Sequence, residues 1–145
     1  MTRVDSRELG RLRVLVVDDN PHAIAIVKVL LRELGVQTIF EARSAEDAFR
    51  VVCSEQIDLI FTDFELPRAN GCDLVCWVRN LPDAERAMIP TVMLSAYTER
   101  SNIEAAREVG VTEFLAKPVT AQALHSKIAA IMNRQLTSKS IVWIT

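Results

Sequence analysis

The stretch LRVLVVDDNP, residues 12–21, joins an apolar run to two aspartates, an asparagine and a proline. The run LRVLVV has the length and the β-branched content of a short strand that is buried on both faces. Asn20 is a preferred helix N-cap, and Pro21 suits the first helical position after it. The stretch therefore predicts a strand, a short loop that carries Asp18 and Asp19, and the start of a helix.

The same alternation of short apolar runs and longer amphipathic stretches continues along the chain. Strands are predicted at residues 12–17, 37–41, 58–62, 89–95 and 113–116. Helices are predicted at residues 20–35, at 44–54, after 71, at 99–110 and from 120 onward. Short strands linked by helices favour parallel pairing and right-handed crossovers. The fold class is therefore α/β, a (βα)5 flavodoxin-like doubly wound parallel sheet with strand order 2-1-3-4-5, and ligands are expected outside the carboxyl ends of strands 1 and 3.

The composition is that of one globular domain. The 145 residues carry 19 acidic and 17 basic side chains, a formal net charge of -2, and half of all residues are hydrophobic. This charge does not favour direct binding to nucleic acid. Since no apolar run is long enough to span a bilayer and no signal peptide is recognisable, membrane insertion is not expected either. The cysteines Cys53, Cys72 and Cys76 form no Cys-x-x-Cys motif and indicate a reducing, cytoplasmic environment.

We expect the folded domain to fill residues 12–135. Residues 1–11, rich in arginine, are interpreted as a solvated N-terminal leader. Residues 136–145 form an apolar C-terminal tail, of which 141–144 favour β structure. Docking on the domain, pairing with a partner or a second copy, and the start of a linker are equally open for this tail. Because the domain leaves no room for an output domain, a signal is expected to pass to a separate partner, unless the chain is a fragment.

Polar side chains follow four of the five predicted strands. They are Asp18 and Asp19 after strand 1, Asp63 after strand 3, Ser95 at the end of strand 4 and Lys117 after strand 5. The carboxyl ends of parallel strands meet at one edge of the sheet, so the three carboxylates are expected in one crevice. Such a cluster must share a proton, bind a cation or recruit a lysine. Few oxygen ligands, with a phosphate as a further one, favour Mg2+ over Ca2+.

Other chemistries known for this fold class lack their motifs. The loop DDNPH after strand 1 is acidic, where a flavodoxin needs a hydroxyl- and glycine-rich phosphate loop, so FMN is not expected. Neither GxGxxG nor GxxxxGK[ST] occurs, which argues against a nucleotide cofactor. A phosphatase of the haloacid dehalogenase type carries a second aspartate two residues after its nucleophile. Glu65 stands at that position after Asp63, so this metal-dependent phosphatase is disfavoured.

Several motifs together resemble the receiver domains of two-component response regulators, the CheY-like family. They are VVDDNP at strand 1, FTDFELPRANGCDLV at strand 3, MLSA at strand 4 and FLAKP at strand 5. Each motif alone is short enough to occur by chance. Their order and their positions at the strand ends make the resemblance specific, and it spans nearly all of residues 12–135.

The resemblance implies that Asp63 accepts a phosphoryl group from a sensor histidine kinase or a histidine phosphotransfer protein. It implies that Mg2+ is held by Asp18, Asp19, Asp63 and the backbone carbonyl of Glu65. Lys117 is expected to pair with Asp63 at rest and with the phosphoryl group afterwards, as a compact charge on a flexible stem. The peptide bond between Lys117 and the following proline is expected to be cis, as is typical of the family.

The resemblance also assigns an output. Ser95 and Phe114 occupy the hydroxyl and aromatic switch positions. Phosphorylation is expected to draw the Ser95 loop inward and let Phe114 turn in, which reshapes the face of the fourth helix, fifth strand and fifth helix for a downstream protein target. Glu65 and Tyr97 lie where the family tunes dephosphorylation, and an acidic and a bulky side chain there are expected to lengthen the phosphorylated lifetime.

By this resemblance the chain is a cytoplasmic signalling phosphoacceptor of a phosphorelay and not an enzyme. Neither nucleic acid nor a membrane is expected as a direct partner, and a homodimer is left open. The alternative is a pseudo-receiver, a protein-binding module that keeps the fold without being phosphorylated. The complete set of acidic residues favours the phosphoacceptor.

Overall fold

A computed structural model describes the backbone of residues 6–144 and the side chains of residues 7–134. The strands are β1 (Arg13–Val17), β2 (Thr38–Ala42), β3 (Leu59–Asp63), β4 (Thr91–Ser95) and β5 (Glu113–Ala116). The helices are α1 (Ser6–Arg11), α2 (Pro21–Leu34), α3 (Ala45–Ser54), α4 (Gly71–Arg79), α5 (Ala84–Ala87), α6 (Arg100–Val109) and α7 (Ala121–Ile144). The strands pair in parallel in the order β2-β1-β3-β4-β5, which confirms the predicted doubly wound sheet.

The central strands are buried on both faces, as their uninterrupted apolar runs predict. Val14, Leu15, Val16 and Val17 of β1 are each at most 1% exposed. Val14 and Val16 belong to the core beneath α2 and α7, whereas Leu15 and Val17 belong to the core beneath α3 and α4. Because successive strand residues point to opposite faces, one short strand supports both layers of helices. The loops that leave β1 and β3 therefore start from fixed positions.

The helix ends follow the signals in the sequence. Asn20 caps α2 by accepting a hydrogen bond from the N–H of His22, and Ser44 caps α3 by accepting one from the N–H of Asp47. Gly35 and Gly110 end α2 and α6 with φ angles of 115° and 99°, in the left-handed region that glycine adopts readily.

The N-terminal segment departs from the sequence interpretation. Residues 6–11 form α1, so the expectation of a solvated leader is wrong for this part of residues 1–11. Leu9 is 2% exposed and lies in the same core cluster as Leu31 of α2 and Ile131 of α7. A single leucine among charged residues produces no periodic pattern in the sequence. Its burial explains why the helix nevertheless packs on the domain.

The segment before β4 also differs from the prediction. Residues 84–87 form α5, with Asp83 as its N-cap, and β4 begins at Thr91 instead of residue 89. The carbonyl of Ile89 accepts a hydrogen bond from Arg79 Nη1 at 2.7 Å, and Pro90 has no N–H to donate. These two residues therefore remain outside the strand.

The C-terminal segment is helical up to Ile144, so the expectation of β structure at residues 141–144 is wrong. No glycine or proline lies between residues 121 and 144, and nothing in this sequence ends α7. The role of the tail stays open. Among the helices of the described residues, none combines the length and the apolar character that crossing a bilayer needs.

The turn from β3 into α4 requires a glycine. A Cβ atom on Gly71 would lie 2.4 Å from the carbonyl oxygen of Asp63 and 2.9 Å from Sδ of Met93. The N–H of Gly71 donates to the carbonyl of Phe64 at 2.9 Å, which closes the loop on itself. The close approach is to backbone, which cannot rotate away, so a side chain at this position displaces the end of β3.

We predict that Gly71→Ala lowers the free energy of unfolding by about 1–3 kcal/mol, because the added methyl group overpacks the end of β3. Urea denaturation followed by circular dichroism measures this change. Gly10→Ala is the matched control. Its Cβ atom would lie 3.5 Å from the nearest heavy atom outside its neighbours, an ordinary contact, and alanine favours the helix α1. Equal stability of the two variants would contradict the prediction.

Candidate functional site

Three carboxylates meet at the carboxyl edge of the sheet. Asp18 and Asp19 follow β1, and Asp63 is the last residue of β3. The two strands are hydrogen-bonded neighbours with Val17 opposite Thr62, so their ends are level. One oxygen from each carboxylate lies within 4.8 Å of the others. The structure thus brings together the three aspartates that the strand ends predict.

Asp18 is held in place by three groups. Its backbone N–H donates to the carbonyl of Ala42 at 3.1 Å, and its Oδ1 accepts from the N–H of Asn20 at 3.0 Å. Its Oδ2 accepts from Nζ of Lys117 at 3.0 Å, and the residue is only 5% exposed. Both carboxylate oxygens are therefore hydrogen-bonded, which a buried charge requires.

Lys117 bridges two of the carboxylates. Its Nζ lies 3.0 Å from Asp18 Oδ2 and 3.3 Å from Asp63 Oδ2. Its backbone N–H donates to the carbonyl of Ser95 at 2.9 Å, which continues the pairing of β4 and β5, and its bond to Pro118 is cis. The ammonium group thus reaches across β4 from the end of β5.

The charges of the cluster perturb each other. Burial raises the pKa of Asp63, and the neighbouring negative charge of Asp18 raises this pKa further against the opposing effect of Lys117. Burial alone lowers the pKa of Lys117, but the hydrogen bond to Asp18 and the charge of Asp63 outweigh burial and raise this pKa. Lys117 is therefore a firmly charged cation, whereas burial and the charge of Asp18 disfavour the ionised form of Asp63.

The cluster suits a hard divalent cation. Three carboxylates face one ammonium group, so negative charge is in excess, and every side-chain ligand on offer is oxygen. Oxygen ligands with several water molecules are the coordination that Mg2+ prefers. Asp19 is exposed and Asp63 is half-buried, so the cluster is open on the solvent side.

Ser95, the last residue of β4, lies one strand away from Asp63 at the same edge of the sheet. The Ser95 hydroxyl donates to the carbonyl of Tyr97 and accepts from the N–H of Tyr97, both at 3.0 Å. Ser95 is buried, whereas Tyr97 is 53% exposed. Glu65 is exposed, and its N–H donates to Asp63 Oδ1 at 3.4 Å. Glu65 is thus in direct contact with Asp63, whereas Tyr97 contacts the hydroxyl of Ser95, and the role of both residues in dephosphorylation stays a prediction.

Phe114 lies on β5, away from the carboxylates. It is half-buried and packs against the core cluster of Val75, Met93 and Ala106, which connects β4 and β5 with α4 and α6. It also lines a cavity of about 450 Å3 together with Ile103 of α6 and Lys127 of α7. The ring therefore borders the face formed by α6, β5 and α7.

Three charged residues around the cluster were not singled out from the sequence. Arg43 donates to the backbone carbonyl of Asp19, and Arg68 forms an ion pair with Glu46. Two single arginines in loops and one glutamate in the first turn of α3 carry no spacing that would reveal these contacts.

Comparison with known proteins identifies the family. The family model of the response regulator receiver domain matches residues 14–129. The chain belongs to the response regulator receiver family. It is a CheY-like receiver domain of two-component signal transduction.

Individual receiver proteins agree with this assignment. The chain is 35% identical over 123 residues to the chemotaxis protein CheY of Pseudomonas aeruginosa, covering 85% of this chain and 98% of that protein. It is 33% identical over 123 residues to the chemotaxis protein CheY-3 of Vibrio cholerae, covering 85% and 93%. The crystal structure of a response regulator receiver domain protein from Clostridium thermocellum matches with a TM-score of 0.77 and 26% identity, covering 87% and 98%.

We predict that Lys117→Met lowers the free energy of unfolding of this receiver domain by about 1–3 kcal/mol at pH 7, because two carboxylates lose their shared cation. Adding Asp63→Asn to this variant is expected to restore part of the loss, since the substitution removes a half-buried carboxylate that has lost its ion pair with Lys117. Urea denaturation of the four proteins of the cycle measures both effects.

Arg100→Met is the control for the loss of a cation. Arg100 forms an ion pair with Glu104 at 3.4 Å, but its side chain is 93% exposed, so this substitution is expected to be nearly neutral. Equal stability of Lys117→Met and Arg100→Met would show that the lysine bridge does not stabilise the fold.

Proposed function

We propose that this receiver domain accepts a phosphoryl group on Asp63 from a phosphohistidine donor, either a sensor histidine kinase or a histidine phosphotransfer protein. The observation that carries the proposal is the convergence of Asp63 with two further carboxylates and the Lys117 ammonium group. Asp63 lies at the end of a central strand, and its side chain is 14% exposed, so a donor can reach it from the open edge of the sheet.

The proposed transfer is a direct displacement at phosphorus. A carboxylate oxygen of Asp63 forms a bond to phosphorus, and the bond between phosphorus and the donor's imidazole nitrogen breaks. The electron pair of the broken bond stays on that nitrogen. Positioning and charge stabilisation account for most of the catalysis in such a transfer. The Lys117 ammonium group is placed to stabilise negative charge on a phosphoryl oxygen.

Asp18, Asp19, Asp63 and the backbone carbonyl of Glu65 are proposed to hold Mg2+. When bound, this ion neutralises charge on the phosphoryl oxygens. The protein's own contribution is to keep the carboxylates within 4.8 Å of one another despite their repulsion. Asn20 and Lys117 support this by occupying the two oxygens of Asp18.

The proposed output is a change on the face of α6, β5 and α7. Ser95 exchanges the carbonyl of Tyr97 for a phosphoryl oxygen, and the loop after β4 moves with it. This movement opens space for Phe114 to turn inward. A downstream protein then binds the altered face. In this proposal the chain acts in the cytoplasm as a signalling phosphoacceptor and not as an enzyme, and a homodimer is one form the phosphorylated protein can take.

We predict that incubation with acetyl phosphate and Mg2+ adds the mass of one phosphoryl group to the wild-type chain. Asp63→Asn removes the acceptor oxygen, so no label is expected on this variant, and a chelator of divalent cations abolishes labelling of the wild type. Intact-protein mass spectrometry measures the product. Asp47→Asn, which changes an exposed carboxylate on α3, is expected to leave labelling unchanged.

The outcome separates three functions. A stable label that depends on Asp63 supports the phosphoacceptor. A wild-type chain that stays unlabelled indicates the pseudo-receiver alternative, a protein-binding module. Continuous release of phosphate from phosphomonoesters without a labelled chain indicates a metal-dependent phosphatase. Label that persists on Asp63→Asn places the acceptor elsewhere and contradicts the proposal.

We further predict that Glu65→Ala and Tyr97→Ala each shorten the phosphorylated lifetime. Both side chains are exposed, Glu65 next to Asp63 and Tyr97 next to Ser95, and are expected to obstruct the attacking water. A loss of about 1 kcal/mol from that barrier corresponds to about fivefold faster hydrolysis. The decay of the labelled protein after removal of the donor measures the lifetime. An unchanged or longer lifetime in both variants would contradict this role.

A further inference from the structure

The loop after β1, which carries Asp18 and Asp19, and the loop after β3, which follows Asp63 directly, are both attached to a third piece of chain. This bridging segment, residues 43–46, connects the end of β2 to the first turn of α3. At one end, Nη2 and Nε of Arg43 donate to the backbone carbonyl of Asp19 at 3.0 and 3.3 Å. The loop after β1 is therefore held from outside the acidic cluster, at the residue that supplies one of its three carboxylates.

The other end of the bridging segment holds the loop after β3. Oε2 of Glu46 accepts from Nε of Arg68 at 3.2 Å. Arg68 has a φ of 67°, in the left-handed region that is uncommon for a residue with a side chain. Oε1 of Glu46 is buried and accepts no hydrogen bond from the described residues, so the direct contact of this carboxylate with a cation is the one that Oε2 makes with Arg68.

The bridging segment is itself fixed to the core. Ser44 is buried and caps α3 through the N–H of Asp47 at 3.1 Å. Ala42, just before the bridging segment, and Ala45, within it, are 5% and 0% exposed. A segment anchored in this way is a rigid reference for the loop that carries Asp18 and Asp19 and for the loop that follows Asp63, whose carboxylate repels theirs.

We infer that Arg43 and Glu46 are positioning residues that set the distance between the loop after β1, which carries Asp18 and Asp19, and the loop after β3, which carries Glu65. The contacts are mostly exposed and add little to global stability. Their effect falls on local geometry, and a cation that needs all three carboxylates depends on that geometry. The inference rests on the proposed function in one respect, namely that Mg2+ is the cation whose affinity the geometry controls.

The experiment compares Arg43→Met and Glu46→Gln with the wild type in two measurements. Titration with Mg2+ is expected to show about tenfold weaker binding in each variant, because the ligands are no longer held together. Amide hydrogen exchange without metal is expected to be faster at residues 64–70 in Glu46→Gln and at residues 18–20 in Arg43→Met. Urea denaturation is expected to give nearly the wild-type free energy of unfolding.

Arg100→Met is the matched control, since Arg100 forms an exposed ion pair with Glu104 on α6 and no ion pair with either loop. It is expected to change neither Mg2+ affinity nor exchange. The charge exchange Glu46→Arg with Arg68→Glu is expected to restore slow exchange at residues 64–70. If the exchanged pair restores slow hydrogen exchange, the effect comes from the specific contact between residues 46 and 68. A general effect of substitution would not be reversed by a second substitution.

The inference is overturned if hydrogen exchange in both loops stays at the wild-type rate, or if the variants lose global stability in parallel with Mg2+ affinity. Failure of the proposed function has a different signature. A wild-type chain that binds no Mg2+ or accepts no phosphoryl group defeats the proposed function, while the exchange rates of the metal-free variants still decide whether the two contacts position the loops.

Discussion

The contact between the Lys117 ammonium group and the carboxylates of Asp18 and Asp63 is the interaction on which the site depends. At Nζ distances of 3.0 and 3.3 Å, one cation compensates two buried or half-buried anions at the edge of the sheet. Coulomb repulsion between unit charges about 4 Å apart is on the order of 4 kcal/mol at an effective dielectric constant of 20, so uncompensated carboxylates would strongly disfavour this fold. The lysine lowers this cost without removing the excess of negative charge, and the remaining excess is what makes the site suitable for a divalent cation.

A lysine can reach these carboxylates only because the scaffold is rigid. The apolar residues of β1 are packed into both cores, so the position of Asp18 follows from the burial of Val14 to Val17. Gly71 allows α4 to start against the carbonyl of Asp63. Strand order then places β5 two strands away from β3, which is the distance that the long lysine stem spans. Strand order, the buried residues of β1 and the glycine at the turn therefore act together. The acidic residues lie close to one another because the packing of the apolar residues fixes the ends of their strands.

The sequence predicted the helices and strands that have a periodic apolar pattern and the residues that lie at their ends. The sheet order, the caps at Asn20 and Ser44 and the meeting of the aspartates all follow from apolar periodicity and from the shared edge of parallel strands. The contacts of Arg43 and Arg68 could not be predicted from the sequence. Each joins an exposed arginine to a group far along the chain, Arg43 to the carbonyl of Asp19, 24 residues away, and Arg68 to Glu46, 22 residues away. Leu9 was missed for a related reason, because one buried leucine forms no pattern. The helical end of α7 was missed because β-branched residues favour strands in isolation but do not interrupt a helix that has already formed.

The position of Ser95 limits how the proposed switch can obtain its energy. Its hydroxyl already makes two hydrogen bonds with the backbone of Tyr97, so engaging a phosphoryl oxygen exchanges a neutral hydrogen bond for a charge-assisted one. Such an exchange is worth about 1–2 kcal/mol, whereas moving a switch from mostly off to mostly on needs on the order of 5 kcal/mol. Ser95 alone is therefore insufficient. The remaining free energy has to come from groups whose interaction strengthens when negative charge is added at Asp63. Lys117 is such a group, because its ammonium group is already in contact with that carboxylate. A switch built in this way couples two strand ends, β4 through Ser95 and β5 through Lys117, and Phe114 lies on β5 three residues before that lysine.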